Sequence, residues 1–279
     1  MENELKIGEY NHLRIIKEVP FGLYLDGYED EILLPLQYVP ENYQIDDFID
    51  VFIYRDSEDR IIATTLKPKA TIDQFAYLEV KSVTPLGVFM EWGLAKDLFV
   101  PFSQQFQKMS VGRSYLVYVY LDGQTDRIVA SARVEKFLPL TDGSEFTIGD
   151  KVDAIPFEHT DLGIKCLVNN CKIGMLFKNQ VFTNLTFGES TQVYISNIRP
   201  DGKLDLRLEA VGMVRIDSQV ERILQAIKDN NGVLYLHDKS PAEEIYAQMG
   251  MSKKDFKKGV GALYKSKLIA LHNDCISLL

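Results

Sequence analysis

The sequence predicts a mainly β chain, with three tandem five-stranded barrels followed by a small C-terminal α+β domain. Three observations carry that prediction. A glycine recurs early in an alternating apolar pattern, as "EVPFGLYL" (18–25), "SVTPLGVFM" (82–90) and "HTDLGIKCL" (159–167), which places Gly22, Gly87 and Gly163 65 and 76 residues apart. The same succession of short apolar runs and a closing hairpin follows each glycine. After residue 212 the apolar spacing changes from two to three and four, which is helical.

Each copy opens on an alternating run: His12–Val19, Ala76–Val83 and Val152–Phe157. The glycine and a second short strand come next. A third apolar strand follows, as "EILLP" (31–35), "KDLFVP" (96–101) and "IGMLF" (173–177). The fourth is "DVFIY" (50–54), "SYLVYVY" (114–120) and "TQVYIS" (191–196). A hairpin and a last strand close each unit: "RDSEDRIIATT", "LDGQTDRIVAS" and "IRPDGKLDLRL". Period-two alternation bounded by Asp-Gly turns marks strands rather than helices. Five short antiparallel strands fit a small Greek-key barrel, the OB architecture. So small a barrel must coil its strands sharply, and a glycine within a strand marks a bulge or a tight bend. With no side chain at Gly22, the rings of Phe21 and Tyr24 are free to stand on the outer face. Barrels of this type bind oligonucleotides on strands two and three. Stacking a base on an exposed ring there contributes about 1–3 kcal/mol.

From Asp217, "DSQVERILQAIKDNNG" sets Val220, Ile223, Leu224 and Ile227 on one helical face. Asp217 or Ser218 caps its start, and Gly232 ends it. "VLYLH" is a short strand. "SPAEEIYAQMG" places Ser240 at the N-cap and Pro241 at the first helical position, and stops at Gly250. In the third helix Ser252 caps, and Phe256, Val260, Leu263 and Tyr264 form the apolar face; "GVGAL" (259–263) reads as close helix packing. "IALHNDCISLL" gives two strands about an Asn-Asp turn. Helix, strand, helix, turn, helix, hairpin is the winged-helix order, whose third helix is the recognition helix. Lys253, Lys254, Lys257, Lys258, Lys265 and Lys267 lie on or beside it. With no arginine among them, contact with a nucleic-acid backbone fits better than bidentate readout of guanine. The competing reading is a solvated helix face. The domains are then 1–66, 67–137, 138–212 and 213–279.

Composition narrows the function. The 279 residues are 46% apolar and 25% charged, an ordinary globular balance. No apolar run approaches the roughly 18 residues that would cross a bilayer, and the acidic N-terminus lacks a signal-peptide core, so the expectation is a soluble cytoplasmic chain with no membrane partner. Three cysteines, at 166, 171 and 275, make no disulfide framework and no zinc set, and read as buried free thiols. His12, His159, His237 and His272 show no metal spacing. Neither a nucleophile elbow nor a phosphate-binding glycine loop is present. Asp56, Glu58 and Asp59 cluster in a turn, where carboxylates are ordinarily solvated. The chain reads as a non-enzyme with no cofactor and no metal. Net charge is −9 overall, but residues 1–66 hold 5 basic against 15 acidic side chains, net −10, while residues 67–137 and 213–279 are each net +2. Phosphate is repelled by the first segment, which moves the expected groove across copies two and three, or between copy two and the C-terminal domain.

The pattern "G-x-Y…E-V-x-F-G-x-Y-L…I-L-L-P…D-x-x-x-R-I" resembles the ribosomal S1-type RNA-binding domain. Three such copies followed by a small helical domain resemble the conserved virulence factor B (CvfB) family of bacterial RNA-binding regulators. The resemblance implies two aromatics flanking the glycine, a histidine in strand three, and an Asp and Arg at the final hairpin. Copy one matches with Phe21, Tyr24, Asp56 and Arg60, with Pro35 at the histidine place. Copy two keeps Phe89 and Arg127, with Lys81 nearby; Leu86 replaces the first ring, Pro101 the histidine, and Asp122 is one residue out of step. In copy three Leu162 and Lys165 replace the rings, Phe177 takes the histidine place and Lys203 the arginine place. The implied function is non-catalytic binding of single-stranded RNA in post-transcriptional regulation. The alternatives are a winged-helix regulator bound to duplex DNA, and a protein-interaction scaffold of degenerate barrels.

Overall fold

The computed structural model describes residues 4–141, 143–178, 181, 185–208, 218–237, 239–272 and 274–279. The chain divides into two compact units, Met1–Leu208 and Glu209–Leu279. Among the described residues the first unit holds three closed barrels of five strands. Barrel one comprises β1 (Tyr10–Val19), β2 (Gly22–Asp26), β3 (Glu31–Pro35), β4 (Phe48–Arg55) and β5 (Ile61–Thr64). Barrel two comprises β6 (Gln74–Val83), β7 (Gly87–Glu91), β8 (Leu98–Pro101), β9 (Ser114–Asp122) and β10 (Arg127–Ser131). Barrel three comprises β11 (Lys151–His159), β12 (Gly163–Val168), β13 (Lys172–Phe177), β14 (Thr191–Ile198) and β15 (Leu204–Arg207). In each, the first strand pairs with the second and fourth, and the third closes on the fifth in parallel.

Alternation fills each barrel. Leu13, Ile15, Leu23, Leu25, Ile32, Leu34, Val51, Ile53 and Ala63 form the core of barrel one. β4 breaks the alternation, because Val51 to Tyr54 are all buried. Its outward residues, Phe52 and Tyr54, belong to the core of barrel two, where Phe52 meets Trp92 edge-on at 5.8 Å. A strand buried on both faces reads as a continuous apolar run, which accounts for "DVFIY". Barrels two and three share a smaller apolar layer of Leu116, Val134, Leu167 and Ile173.

The repeated glycines serve a closer purpose than the bend expected of them. The bulge lies in the first strand instead, between Ile15 and Lys17, Val80 and Ser82, and Pro156 and Glu158. A Cβ at Gly22, Gly87 or Gly163 would stand 2.1, 2.3 or 2.0 Å from the carbonyl oxygen of Leu34, Val100 or Leu176 on the neighbouring strand. Only glycine admits that approach.

The second unit contains α1 (Ser218–Asp229), β16 (Val233–Leu234), α2 (Ala242–Met249), α3 (Lys253–Lys265), β17 (Ile269–Leu271) and β18 (Ile276–Leu278). Asp217 and Asn273 lie outside the described residues. The three strands form one sheet in the order β16-β18-β17, and the element order is the expected winged helix. Val220, Ile223, Ile227, Ile245, Phe256, Val260, Leu263, Ile269 and Ile276 fill its core. Four details differ from expectation. "VLYLH" contributes only two strand residues, so His237 is not in a strand. Pro241, not Ser240, holds the N-cap of α2, while the Ser240 hydroxyl accepts a hydrogen bond from the His237 amide. Tyr264 is 55% exposed, and Gly259 takes its place on the buried face of α3. Cys171 and Cys275 are only half-buried, unlike Cys166. The burial of Cys166 pushes its thiol up to about 12, which keeps it protonated and inert.

Candidate nucleic-acid interface

A cleft of about 940 Å³ opens where the closing hairpin of barrel one lies against strands β7, β8 and β10 of barrel two. Its apolar wall includes Leu86, Phe89, Phe99 and Tyr54, and its polar rim includes Arg55, Asp59, Lys96, Asp97 and Arg127. Alternation on β7 turns Val88 and Met90 into the barrel core and leaves Phe89 outward. Phe89 lies opposite Phe99 in register, with ring centroids 5.0 Å apart. Leu86, in the turn before Gly87, is 76% exposed. An outward aromatic pair next to an exposed leucine is a surface on which a flat base can stack.

The cations of the rim are tied across the junction of the two barrels. Arg127 donates from Nε to Asp59 Oδ1 at 2.9 Å and from Nη2 to Asp59 Oδ2, a bidentate pair across the junction. The Arg127 guanidinium holds the Asp59 carboxyl below its ordinary range. Arg55 donates to the carbonyls of Asp126 (3.1 Å) and Asp59 (2.8 Å). Lys96 donates to the carbonyls of Arg55 (3.1 Å) and Asp56 (2.6 Å). Burial lowers the Lys96 ammonium from its ordinary value.

The structure brings together only part of the expected set. Phe89 and Arg127 line the cleft. Lys81, the bulge residue of β6, lies 3.6 Å from Asp97 on its rim. Phe21 and Tyr24 stand on the equivalent face of barrel one, edge to face at 6.4 Å, with Phe21 55% exposed and Lys17 over the Tyr24 ring. Asp56 and Arg60 pair with each other: Arg60 donates from Nε and Nη2 to Asp56 Oδ2 at 2.8 and 2.7 Å. Burial pushes the Asp56 carboxyl up, but Arg60 and the amides of Arg60 and Glu58 outweigh it and the net shift is downward. In barrel three Phe177 lies under Arg199, and Lys203 pairs with Asp201 at 3.5 Å. The cleft between barrels two and three, one of the two places the charge balance gave for the groove, is the smaller, at about 300 Å³. Arg55, Lys96 and Phe99 were missed. Their roles depend on contacts between barrels or across a sheet, and the sequence carried no sign of them beyond the third-strand run that contains Lys96 and Phe99. On α3, Lys254, Lys257, Lys258 and Lys265 are exposed, as is Lys267 just beyond it. Lys253 is half-buried and donates to the Lys239 carbonyl.

Barrels with an outward aromatic face, followed by a winged helix, define a chain built from domains of the nucleic-acid-binding type. Residues 7–66 match the S1 domain family and residues 221–278 the CvfB-like winged helix domain. The chain is 26% identical over 235 residues to conserved virulence factor B of Staphylococcus aureus (strain bovine RF122 / ET3-1), covering 81% of this chain and 78% of that protein. It is 25% identical over 286 residues to the uncharacterized protein YitL of Bacillus subtilis (strain 168), covering 98% and 93%. A crystal structure of a multidomain protein with nucleic acid binding domains from Streptococcus pneumoniae TIGR4 matches 98% of both chains at 22% identity, with a TM-score of 0.48. The resemblance is thus borne out by an S1 domain at the start of the chain, a CvfB-like winged helix domain at its end, and the similarity to conserved virulence factor B. No helix among the described residues is long and apolar enough to cross a membrane.

Proposed function

We propose that the chain is a non-catalytic, cytoplasmic protein that binds single-stranded RNA and regulates gene expression after transcription. The observation that carries this reading is the outward Phe89–Phe99 pair in a cleft whose rim also holds Arg55, Lys96 and Arg127. A ring pair takes bases without reading their sequence, and Arg55 and Lys96, which are held by backbone carbonyls rather than by a carboxylate, carry the charge that draws the backbone. Lysines on α3 supply a second, weaker contact, and linking modest sites on one chain raises the overall affinity through effective concentration.

Phe89→Ala is expected to weaken binding of a fluorescein-labelled oligouridylate by about 1–3 kcal/mol in fluorescence anisotropy. The circular dichroism spectrum should not change, since the side chain lies outside the barrel core. An affinity equal to the wild type would remove Phe89 from the site. A second reading rests on the exposed lysines of α3, and a preference for duplex DNA over single-stranded RNA in the same titration would favour it. Failure to bind either nucleic acid would leave the protein-interaction scaffold.

A further inference from the structure

In all three barrels the cation of the closing hairpin is paired with a carboxylate, but the pairings differ in origin. Arg60 takes Asp56 and Lys203 takes Asp201, each from its own hairpin. Barrel two departs from this. Of its own hairpin carboxylates, Asp122 accepts from the Thr125 hydroxyl at 2.6 Å, and Asp126 directly precedes Arg127 in the chain. Arg127 instead takes both oxygens of Asp59, which lies 68 residues upstream in the hairpin of barrel one. Asp59 is fixed for the purpose. Its backbone is left-handed (φ 63°), its carbonyl is held by Arg55 and its amide by the Asp56 carbonyl. Asp59 and Arg127 both line the cleft, and their side chains remain 45% and 52% exposed.

A carboxylate and a phosphate compete for the same planar fork of guanidinium donors. We infer that Asp59 is a built-in phosphate surrogate, which occupies the guanidinium barrel two would offer a nucleic-acid backbone and so makes the cleft select the base of a single-stranded nucleotide over its phosphate. The inference rests on the proposed RNA-binding reading and names what the cleft recognises. Its consequence lies in salt dependence. Each phosphate neutralised on a single strand contributes about 0.7 to the slope of log affinity against log salt. With Arg127 committed to Asp59, that contribution is missing from the wild type.

The test is anisotropy of the full chain with fluorescein-labelled oligouridylate across a potassium chloride series. Asp59→Asn keeps a residue that accepts the left-handed turn and releases Arg127. It should bind severalfold more tightly at low salt, with a slope steeper by about 0.7. Arg127→Gln in the Asp59→Asn background, which removes both charges of the pair, should restore the wild-type slope. The inference is overturned by an Asp59→Asn slope equal to wild type, or by a gain that survives Arg127→Gln. An Asp59→Asn/Arg127→Gln double variant with a slope shallower than wild type overturns it as well, since removing the neutral pair should cost no phosphate contact. Wild-type binding with an unmoved Asp59→Asn slope sinks this inference alone, whereas absence of RNA binding by every form sinks the proposed function as well.

Discussion

Gly259 and Gly261 stand two residues apart in the middle of α3 and face different constraints. A Cβ at Gly259 would meet Ile223 Cδ1 at 2.6 Å, so that glycine lets α3 close on α1, as expected for "GVGAL". At Gly261 a Cβ would meet nothing within 4 Å. A glycine in a helix interior costs about 0.5–1 kcal/mol relative to alanine. Gly261→Ala is therefore expected to raise stability by about that amount in urea denaturation; no gain would mean that α3 is not helical there. Gly87 is the opposite case. A Cβ there would stand 2.3 Å from the Val100 carbonyl oxygen and 2.8 Å from the Phe99 ring. Gly87→Ala should cost about 1–3 kcal/mol, the range of forced overpacking, and should displace the ring that closes the cleft.

At the scale of the element, α3 depends on its first turn. The Ser252 hydroxyl accepts from the Asp255 amide at 3.2 Å and donates to the Asp255 carboxylate at 2.7 Å. That satisfies one of the orphan amides at the start of the helix. Ser252→Ala is expected to cost about 1 kcal/mol, seen as faster hydrogen exchange at the amides of the first turn. Unchanged exchange would show that packing of Phe256 alone holds the turn. α2 starts differently. No side chain caps it, and Pro241 at the N-cap leaves the Ser240 hydroxyl to the His237 amide. Its end is sharper, since Gly250 adopts the left-handed conformation (φ 60°) and donates its amide to Tyr246.

For the molecule as a whole, barrels one and two are joined by a shared core rather than a linker. Phe52, from barrel one, is fully buried against Trp92 of barrel two, the single tryptophan of the chain. Truncating a buried phenylalanine costs about 3–5 kcal/mol through lost burial and the cavity left behind. Phe52→Ala should therefore lower the denaturation midpoint read by Trp92 fluorescence, although the substitution lies in the other barrel. A Trp92 transition that stays in place would show that the two barrels unfold independently. The same junction explains how an acidic first barrel fits the proposed binding of nucleic acid. Its hairpin supplies Asp59 and the carbonyls that hold Arg55 and Lys96, while the stacking rings belong to barrel two.

The sequence by itself determined the three barrels, their strand order in the chain, the winged-helix order and the outward place of Phe21 and Phe89. These follow from local rules: alternation sets which side of a strand faces the core, and caps and turn residues mark where elements stop. The tertiary structure alone decided that Phe52 and Tyr54 complete a neighbouring barrel, that the larger cleft lies between barrels one and two, and that Arg127 meets Asp59. Those contacts join residues dozens of positions apart, and the angle at which one barrel packs on the next sets them. No periodicity along the chain encodes that angle, because it is fixed only when the outer faces of two finished barrels bury each other.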